Sequence, residues 1–129
     1  MKKAFSMIVS FIMMLVLTGC DKYSSSYKAF GFIHSNKSDS AEMSFNSFEG
    51  TIVFKLESSG EGNLKYTAKL ESGTAVVYYD NSGDKSELFT IGAGEELDSH
   101  GGDIGSGTVY IVVETNGECT NGEFSINLE

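Results

Sequence analysis

The side chains of this chain that could act as nucleophile, base or metal ligand are few. The cysteines are Cys20 and Cys119, the histidines are His34 and His100, and tryptophan is absent. A pair of Cys119 with His100 is conceivable, because catalytic triads assemble from distant parts of a sequence. Neither residue lies in a nucleophile elbow, and no third residue at a characteristic spacing would orient the base. We therefore predict that the protein is not an enzyme and needs no cofactor.

Carboxylates gather at one predicted turn, where calcium binding is the alternative to ordinary turn chemistry. Asp80 and Asp84 flank residues 81–83, which are Asn, Ser and Gly. Calcium takes roughly six to eight oxygen ligands, many of them carboxylates. The spacing lacks the loop pattern of an EF-hand, and these residue types are also those of tight turns. The pattern favours a turn, with Asp80 and Asp84 as candidate calcium ligands.

Tyr78 and Tyr110 are the candidates for an aromatic binding surface. Successive side chains of a strand point to opposite faces. Tyr79 must therefore point away from Tyr78, so only one of these neighbours can lie beside Tyr110. Packing in the core or across strands is the other interpretation of the rings.

The first twenty residues combine a basic start, an apolar run and small residues before a cysteine. Lys2 and Lys3 precede the run from Ala4 to Leu17, which is short for a membrane-spanning helix of roughly twenty residues. These are the three regions of a secretory signal. The tetrapeptide Leu17-Thr18-Gly19-Cys20 resembles the lipobox of bacterial lipoprotein signal peptides.

This resemblance implies cleavage before Cys20 and acylation of its sulfur. Two acyl chains give stable anchoring, because each buried methylene contributes about 0.8 kcal/mol. We therefore expect a signal peptide at 1–19, a lipidated cysteine and polar tether at 20–28, and a domain at 29–129. The protein would be anchored in a membrane on its extracytoplasmic side. Asp21 resembles an inner-membrane retention signal only if the envelope is Gram-negative, so the type of envelope stays open.

The charge of the mature segment limits its partners. Residues 20–129 contain seven lysines, eighteen acidic residues and no arginine, a net charge of 7 − 18 = −11. Nucleic acids bind basic surfaces, so we predict no nucleic-acid partner. Solubility near a charged cell surface accounts for the excess of acids.

The apolar residues of the mature segment recur with a period of two, which is typical of half-buried antiparallel strands. The clearest alternation is at 63–71. Weaker or shorter patterns lie at 29–33, 42–48, 51–57, 74–79, 87–91, 108–114 and 124–128. Seven or eight short strands predict a single antiparallel β-sandwich, with a small closed barrel as the alternative. We expect the glycine-rich segment 100–107 to be a mobile surface loop.

Two C-terminal segments resemble the closing strands of bacterial pre-peptidase C-terminal domains. Residues 107–113 are Gly-Thr-Val-Tyr-Ile-Val-Val, and residues 122–126 are Gly-Glu-Phe-Ser-Ile. Residues 76–80 would correspond to the central strand of that family. The resemblance implies a jelly-roll-like sandwich with an accessory, non-catalytic role. The Asp-rich approach to the central strand is absent, so the family's calcium site does not carry over.

The last two predicted strands can pair in two registers. A two-residue turn at 116–117 competes with a longer loop, 116–121, which pairs Val113 with Phe124. The longer loop costs about 1 kcal/mol or less, and each good cross-strand pair contributes about 0.2–1 kcal/mol. We favour the longer loop, which places Cys119 at its tip and predicts an accessible thiol.

Two functions agree with these observations. The leading hypothesis is a non-enzymatic, membrane-anchored surface lipoprotein whose domain binds a protein or an envelope component. The alternative is an accessory carbohydrate- or calcium-binding module of the cell envelope. Titration with calcium and with cell-wall glycans distinguishes the two.

Overall fold

A computed structural model describes residues 23–81 and 83–129, so the predicted signal peptide and Cys20 lie outside the described residues. No helix in the described residues is long and apolar enough to cross a membrane. Nine β-strands form there: β1 (Ser26–Phe30), β2 (Ile33–Asn36), β3 (Ser40–Ser58), β4 (Gly62–Ser72), β5 (Ala75–Asp80), β6 (Ser86–Ile91), β7 (Glu96–Ile104), β8 (Gly107–Thr115) and β9 (Cys119–Leu128). The prediction of an all-β fold is confirmed.

Strand β3 belongs to both halves of the sandwich. Its residues 40–48 pair with β9, and the sheet continues through β4 to β7. Its residues 51–58 pair with β8, and the sheet continues through β5 to β6. We call these halves the β9 sheet and the β8 sheet. All pairs are antiparallel, and the inner faces enclose one hydrophobic core, so the fold is a nearly closed, jelly-roll-like sandwich.

Gly50 lets β3 pass from one sheet to the other without a break. Its φ of 131° is outside the range of ordinary residues. A Cβ at this position would lie 2.4 Å from the carbonyl oxygen of Ser26. The amide of Gly50 instead donates a hydrogen bond to Thr115 Oγ1 at 2.8 Å. The two strands predicted at 42–48 and 51–57 are therefore parts of one 19-residue strand.

Strands β1 and β2 form one interrupted edge strand along β3. They pair with residues 47–51 and 41–44 of β3 in a single continuous register. Gly31, at φ 62°, marks the interruption, and Phe32 then packs against the core. Strand β1 includes residues 26–28, which the sequence pattern assigned to the tether.

The core is built from the inward positions of both sheets, as the period-two pattern predicts. Burying a large apolar side chain contributes about 1.5–3 kcal/mol. Aromatic rings connect the strands: Phe124 stacks on Phe45 and on Phe89, with 6.2 Å between ring centroids in each pair. The largest fully buried side chains are Phe48, Leu56, Leu64, Leu70, Ile91, Ile111 and Ile126.

Strands β8 and β9 do not pair with each other, so both predicted hairpin registers are wrong. Both pair antiparallel with β3, β8 with residues 51–58 and β9 with residues 40–48, so they follow one another in the same direction along it. Val113 is opposite Ile52, and Phe124 is opposite Met43. The sequence pattern correctly identified which face of β8 and of β9 is apolar and buried. It failed because β3 is long enough to pair with both strands, which local matching cannot detect.

The glycine-rich segment predicted to be a loop is mostly strand. Residues 100–104 complete β7 and pair with β4. Gly102 has φ 78°, and a Cβ there would lie 3.2 Å from the Tyr79 ring. Glycine therefore allows the Tyr79 ring to pack closely against the backbone at this position. Only residues 105 and 106 connect β7 to β8.

Cys119 is buried, which contradicts the predicted exposed thiol. It is the first residue of β9, lies opposite Phe48 and has 0% exposed surface. Its Sγ lies 3.4 Å from the carbonyl oxygen of Thr74. A Cβ on Gly73 would approach Sγ to 2.7 Å, so this glycine makes room for the thiol. The polar neighbours of Cys119 in sequence did not reveal this environment, because the loop ends one residue earlier.

We expect the Cys119 thiol to react with Ellman's reagent only after unfolding. Burial raises the pKa of this thiol. Thiolate is therefore scarce and shielded in the folded state. A Cys20→Ser variant should show little reaction within minutes in native buffer and full reaction in guanidinium. Rapid stoichiometric reaction of the native protein would contradict the buried position.

Candidate functional site

Tyr78 and Tyr110, the predicted binding tyrosines, both lie on the outer face of the β8 sheet. Tyr78 is opposite Val112 and Tyr110 is opposite Asp80, so the two rings are diagonal neighbours across β5 and β8. Tyr79 packs against the core instead. The alternation argument therefore holds, and the structure brings the two predicted residues to one face.

This tyrosine face is already covered by the chain's own side chains. Tyr23 approaches Tyr110 edge-on, with 5.4 Å between ring centroids. The Lys85 ammonium lies 4.4 Å from the centre of the Tyr78 ring. Val112, in the middle of this outer face, is only 2% exposed. The tyrosines pack against the N-terminal segment and Lys85 and do not form an open surface.

The two predicted calcium ligands have different environments. Asp80 is buried: its Oδ1 accepts a hydrogen bond from the Gly83 amide at 2.8 Å, and its Oδ2 accepts one from the Tyr23 hydroxyl at 2.6 Å. Asp84 is exposed. In residues 23–81 and 83–129, no group of three or more His, Cys, Asp or Glu could hold a metal ion. The Asp80 carboxylate therefore stabilises the turn through Gly83 and holds the N-terminal segment through Tyr23.

Tyr23→Phe should reduce stability by about 1–2 kcal/mol at neutral pH, because it removes a hydrogen bond to a buried carboxylate. Burial and this hydrogen bond raise the pKa of Tyr23 to about 12, from 10.0. The folded state holds the proton more tightly than the unfolded chain does. The stabilisation is therefore complete below about pH 10 and is lost as the pH rises through about 12.

Urea unfolding of wild type, Tyr23→Phe and Tyr27→Phe measures this effect. Tyr27 is 40% exposed and serves as the matched control. Of the two variants, only Tyr23→Phe should lower the urea midpoint at pH 7. The wild-type midpoint should fall between pH 10 and 12, and this fall should be smaller in Tyr23→Phe. If the two variants behave alike, the Tyr23–Asp80 bond does not stabilise the domain.

A polar groove crosses the outer face of the β9 sheet, opposite the core. It comprises three adjoining depressions of about 410, 390 and 370 Å³. Glu123 lines all three, and Ser44, Thr67 and Lys69 each line two. The depressions therefore form one continuous groove, centred near Glu123. We call it the outer groove.

Strand register arranges the polar side chains of the outer groove in two rows. The strands in a sheet are about 4.8 Å apart, so a row across four strands is on the order of 14 Å long. One row, on β3, β9, β4 and β7, consists of Ser44, Glu123, Lys69 and Glu96. The neighbouring row consists of Glu42, Ser125, Thr67 and Asp98.

Several of these groups retain their capacity to bind a ligand. Asp98 pairs with Lys65 at 3.6 Å, and Ser125 accepts a hydrogen bond from Asn127. In the described part of the chain, Glu42, Glu123 and Lys69 make no side-chain hydrogen bond or ion pair. The groove therefore offers both donors and acceptors to a polar ligand. It contains no paired nucleophile and base.

Exposed apolar side chains border the outer groove along the β1–β2 edge. Ile33 is 72% exposed and lines two of the depressions. Phe30 is 70% exposed and precedes Gly31, which lines one of them. Neither residue was predicted from the sequence to be part of a binding site. The available signal was the crowding of Phe30, Phe32 and Ile33, because alternation cannot bury all three.

No family model matches the chain, and no curated protein matches it. Among solved structures, the chain is similar to a family 61 carbohydrate-binding module in complex with β-1,4-galactotriose. The identity is 14% and the TM-score 0.52, over 81% of this chain and 87% of that chain. A family 35 module from Paenibacillus barcinonensis matches with 14% identity and a TM-score of 0.46, over 80% and 91% of the respective chains. The likeness to the family 61 module shows that this domain has a jelly-roll-like fold that also occurs among carbohydrate-binding modules.

Proposed function

We propose that the domain is a non-catalytic carbohydrate-binding module that holds a glycan in the outer groove. The observation that carries the proposal is the groove at Glu123, where Glu42, Glu123 and Lys69 make no side-chain hydrogen bond or ion pair within the part of the chain that the structure describes. The likeness to a module complexed with β-1,4-galactotriose supports it. The alternative drawn from the sequence, a carbohydrate-binding module, is thus better supported than binding of an unspecified protein. No comparable observation in the described residues supports calcium binding.

The chemistry of the outer groove suits a sugar chain. Sugar hydroxyls both donate and accept hydrogen bonds, and the two polar rows supply carboxylates, hydroxyls and an ammonium. The C–H faces of a sugar are apolar and can pack against Ile33 and the Phe30 ring. A binding site commonly combines such apolar contact with a few polar groups that fix orientation.

Titration calorimetry with β-1,4-galactan, mannan and cell-wall glycan fragments tests the proposal. We expect saturable binding of at least one glycan. Thr67→Arg should block it, because Thr67 lies on the groove floor with an exposed side chain. Thr90→Arg is the matched control on β6, away from the groove. The proposal fails if no glycan binds, or if Thr67→Arg and Thr90→Arg bind alike.

We also propose that the mature protein is membrane-anchored through Cys20. The motif Leu17-Thr18-Gly19-Cys20 and the preceding apolar run support this anchor. Cys20→Ala should release the protein from the membrane fraction or leave its precursor unprocessed. Normal processing and continued membrane association of this variant would refute the anchor.

A further inference from the structure

The outer groove is electrically asymmetric. The 410 Å³ depression lies over β2, β3 and β9, and Glu42 and Glu123 are its acidic lining residues. Lys69 lines the other two depressions and lies opposite Glu123 on β4, whereas Lys65 lines none of the three. The depression also has four hydroxyl side chains: Ser35, Ser44, Thr67 and Ser125.

The strand register sets the spacing of the two carboxylates. Glu42 is opposite Ser125, and Glu123 is opposite Ser44. Glu42 and Glu123 are therefore diagonal neighbours on the outer face, about 7–8 Å apart at the backbone. A cation between them would lie within reach of both carboxylates, since an N–H···O⁻ bond is about 2.7–2.9 Å long. Both carboxylates are exposed and lack a partner side chain in the described residues.

We infer that this depression binds a sugar that carries a protonated amine, a 2-amino-2-deoxyhexose unit within a glycan. The inference rests on the proposed function and specifies its ligand class. An ammonium group has three donors and no acceptor, which matches two carboxylates and one serine hydroxyl. An acidic sugar would instead bring a third negative charge beside Glu42 and Glu123, and like charges oppose binding.

The surroundings of the carboxylates favour an amino sugar over a basic peptide. Four hydroxyl side chains border the depression and can bond the remaining sugar hydroxyls. Ile33 adds an exposed apolar wall on one side. A lysine side chain would satisfy the carboxylates but would leave most of these hydroxyls without a ligand partner.

The test compares a β-1,4-linked glucosamine hexamer with its fully N-acetylated counterpart, by calorimetry with the full chain lacking its signal segment. Acetylation removes the charge and keeps chain length and linkage. We expect the amine form to bind about tenfold more tightly, the scale of two partly exposed charge contacts. The preference should disappear in Glu42→Gln/Glu123→Gln and shrink at 1 M salt. Glu118→Gln, on an exposed loop, is the control and should keep it.

Four results would each overturn the inference. Equal binding of the two hexamers would leave the carbohydrate-binding function intact and refute the amine subsite. A preference that survives Glu42→Gln/Glu123→Gln would show a general attraction to an acidic protein. Displacement of the hexamer by oligolysine at equal charge, with the same dependence on Glu42 and Glu123, would identify a basic peptide as the ligand. If no glycan binds, whether neutral or cationic, the proposed carbohydrate-binding function itself is refuted.

Discussion

Replacing Phe48 with alanine should lower the free energy of unfolding by about 3–5 kcal/mol. Phe48 is fully buried at the part of β3 where the two sheets meet. Its ring stacks on Tyr27 with 5.0 Å between centroids, and it also contacts Phe32 and Phe45. Removing it leaves a cavity that several strands must close together. A domain is typically stable by about 5–15 kcal/mol, so this loss is a large fraction of the total.

Phe30→Ala is the matched control for this prediction, because the same side chain is lost from a position that is 70% exposed. Its stability should stay within about 0.5 kcal/mol of wild type. Urea unfolding followed by circular dichroism measures both variants. If they lose equal stability, the core does not lie where the two sheets meet at Phe48.

Glu123→Lys should weaken glycan binding by about 20-fold or more. Glu123 lines all three depressions and lies between Ser44 and Lys69 in the same row. A hydrogen bond to a charged group contributes about 1.5–3 kcal/mol. The substitution removes that acceptor and places a second ammonium opposite Lys69. The loss should therefore exceed that of Thr67→Ala, which removes only a neutral hydroxyl.

Glu118→Lys makes the same change of charge on an exposed loop outside the outer groove and is the control. Both lysine variants should unfold near the wild-type midpoint, because both glutamates are exposed. Calorimetric titration with the glycan that binds wild type best gives the comparison. An affinity lowered equally in both variants would mean that overall charge, and not a contact at Glu123, controls binding.

The sequence pattern is sufficient for strands whose two faces differ clearly. In β4, Leu64, Ala68 and Leu70 are buried while Lys65 and Lys69 are exposed, as the alternation predicts. The partner with which a strand pairs does not follow from the local sequence of that strand. Strand β3 pairs with both β8 and β9 because Gly50 permits its course through two sheets, and no signal near residues 108–128 reveals that partner.

The candidate site was harder to predict than the strands, for a physical reason. Glu42, Lys69 and Glu123 look like ordinary outward residues of three strands that are far apart in sequence. They meet only because β9 lies between β3 and β4. Tyr78 and Tyr110 were easier to notice, but Tyr23 covers that face from a segment expected to be a tether. Burial by a distant segment is a property of the fold and not of the local pattern.

The location of the ligand can be measured directly by nuclear magnetic resonance. The ¹⁵N-labelled domain would be titrated with the oligosaccharide that binds best, and the amide shifts would be followed. We predict that the largest changes occur at Ser44, Thr67, Glu123 and Ser125, with the tyrosine face unaffected. Changes concentrated at Tyr78 and Tyr110, with the outer groove unchanged, would contradict the central claim that this groove is the carbohydrate-binding site.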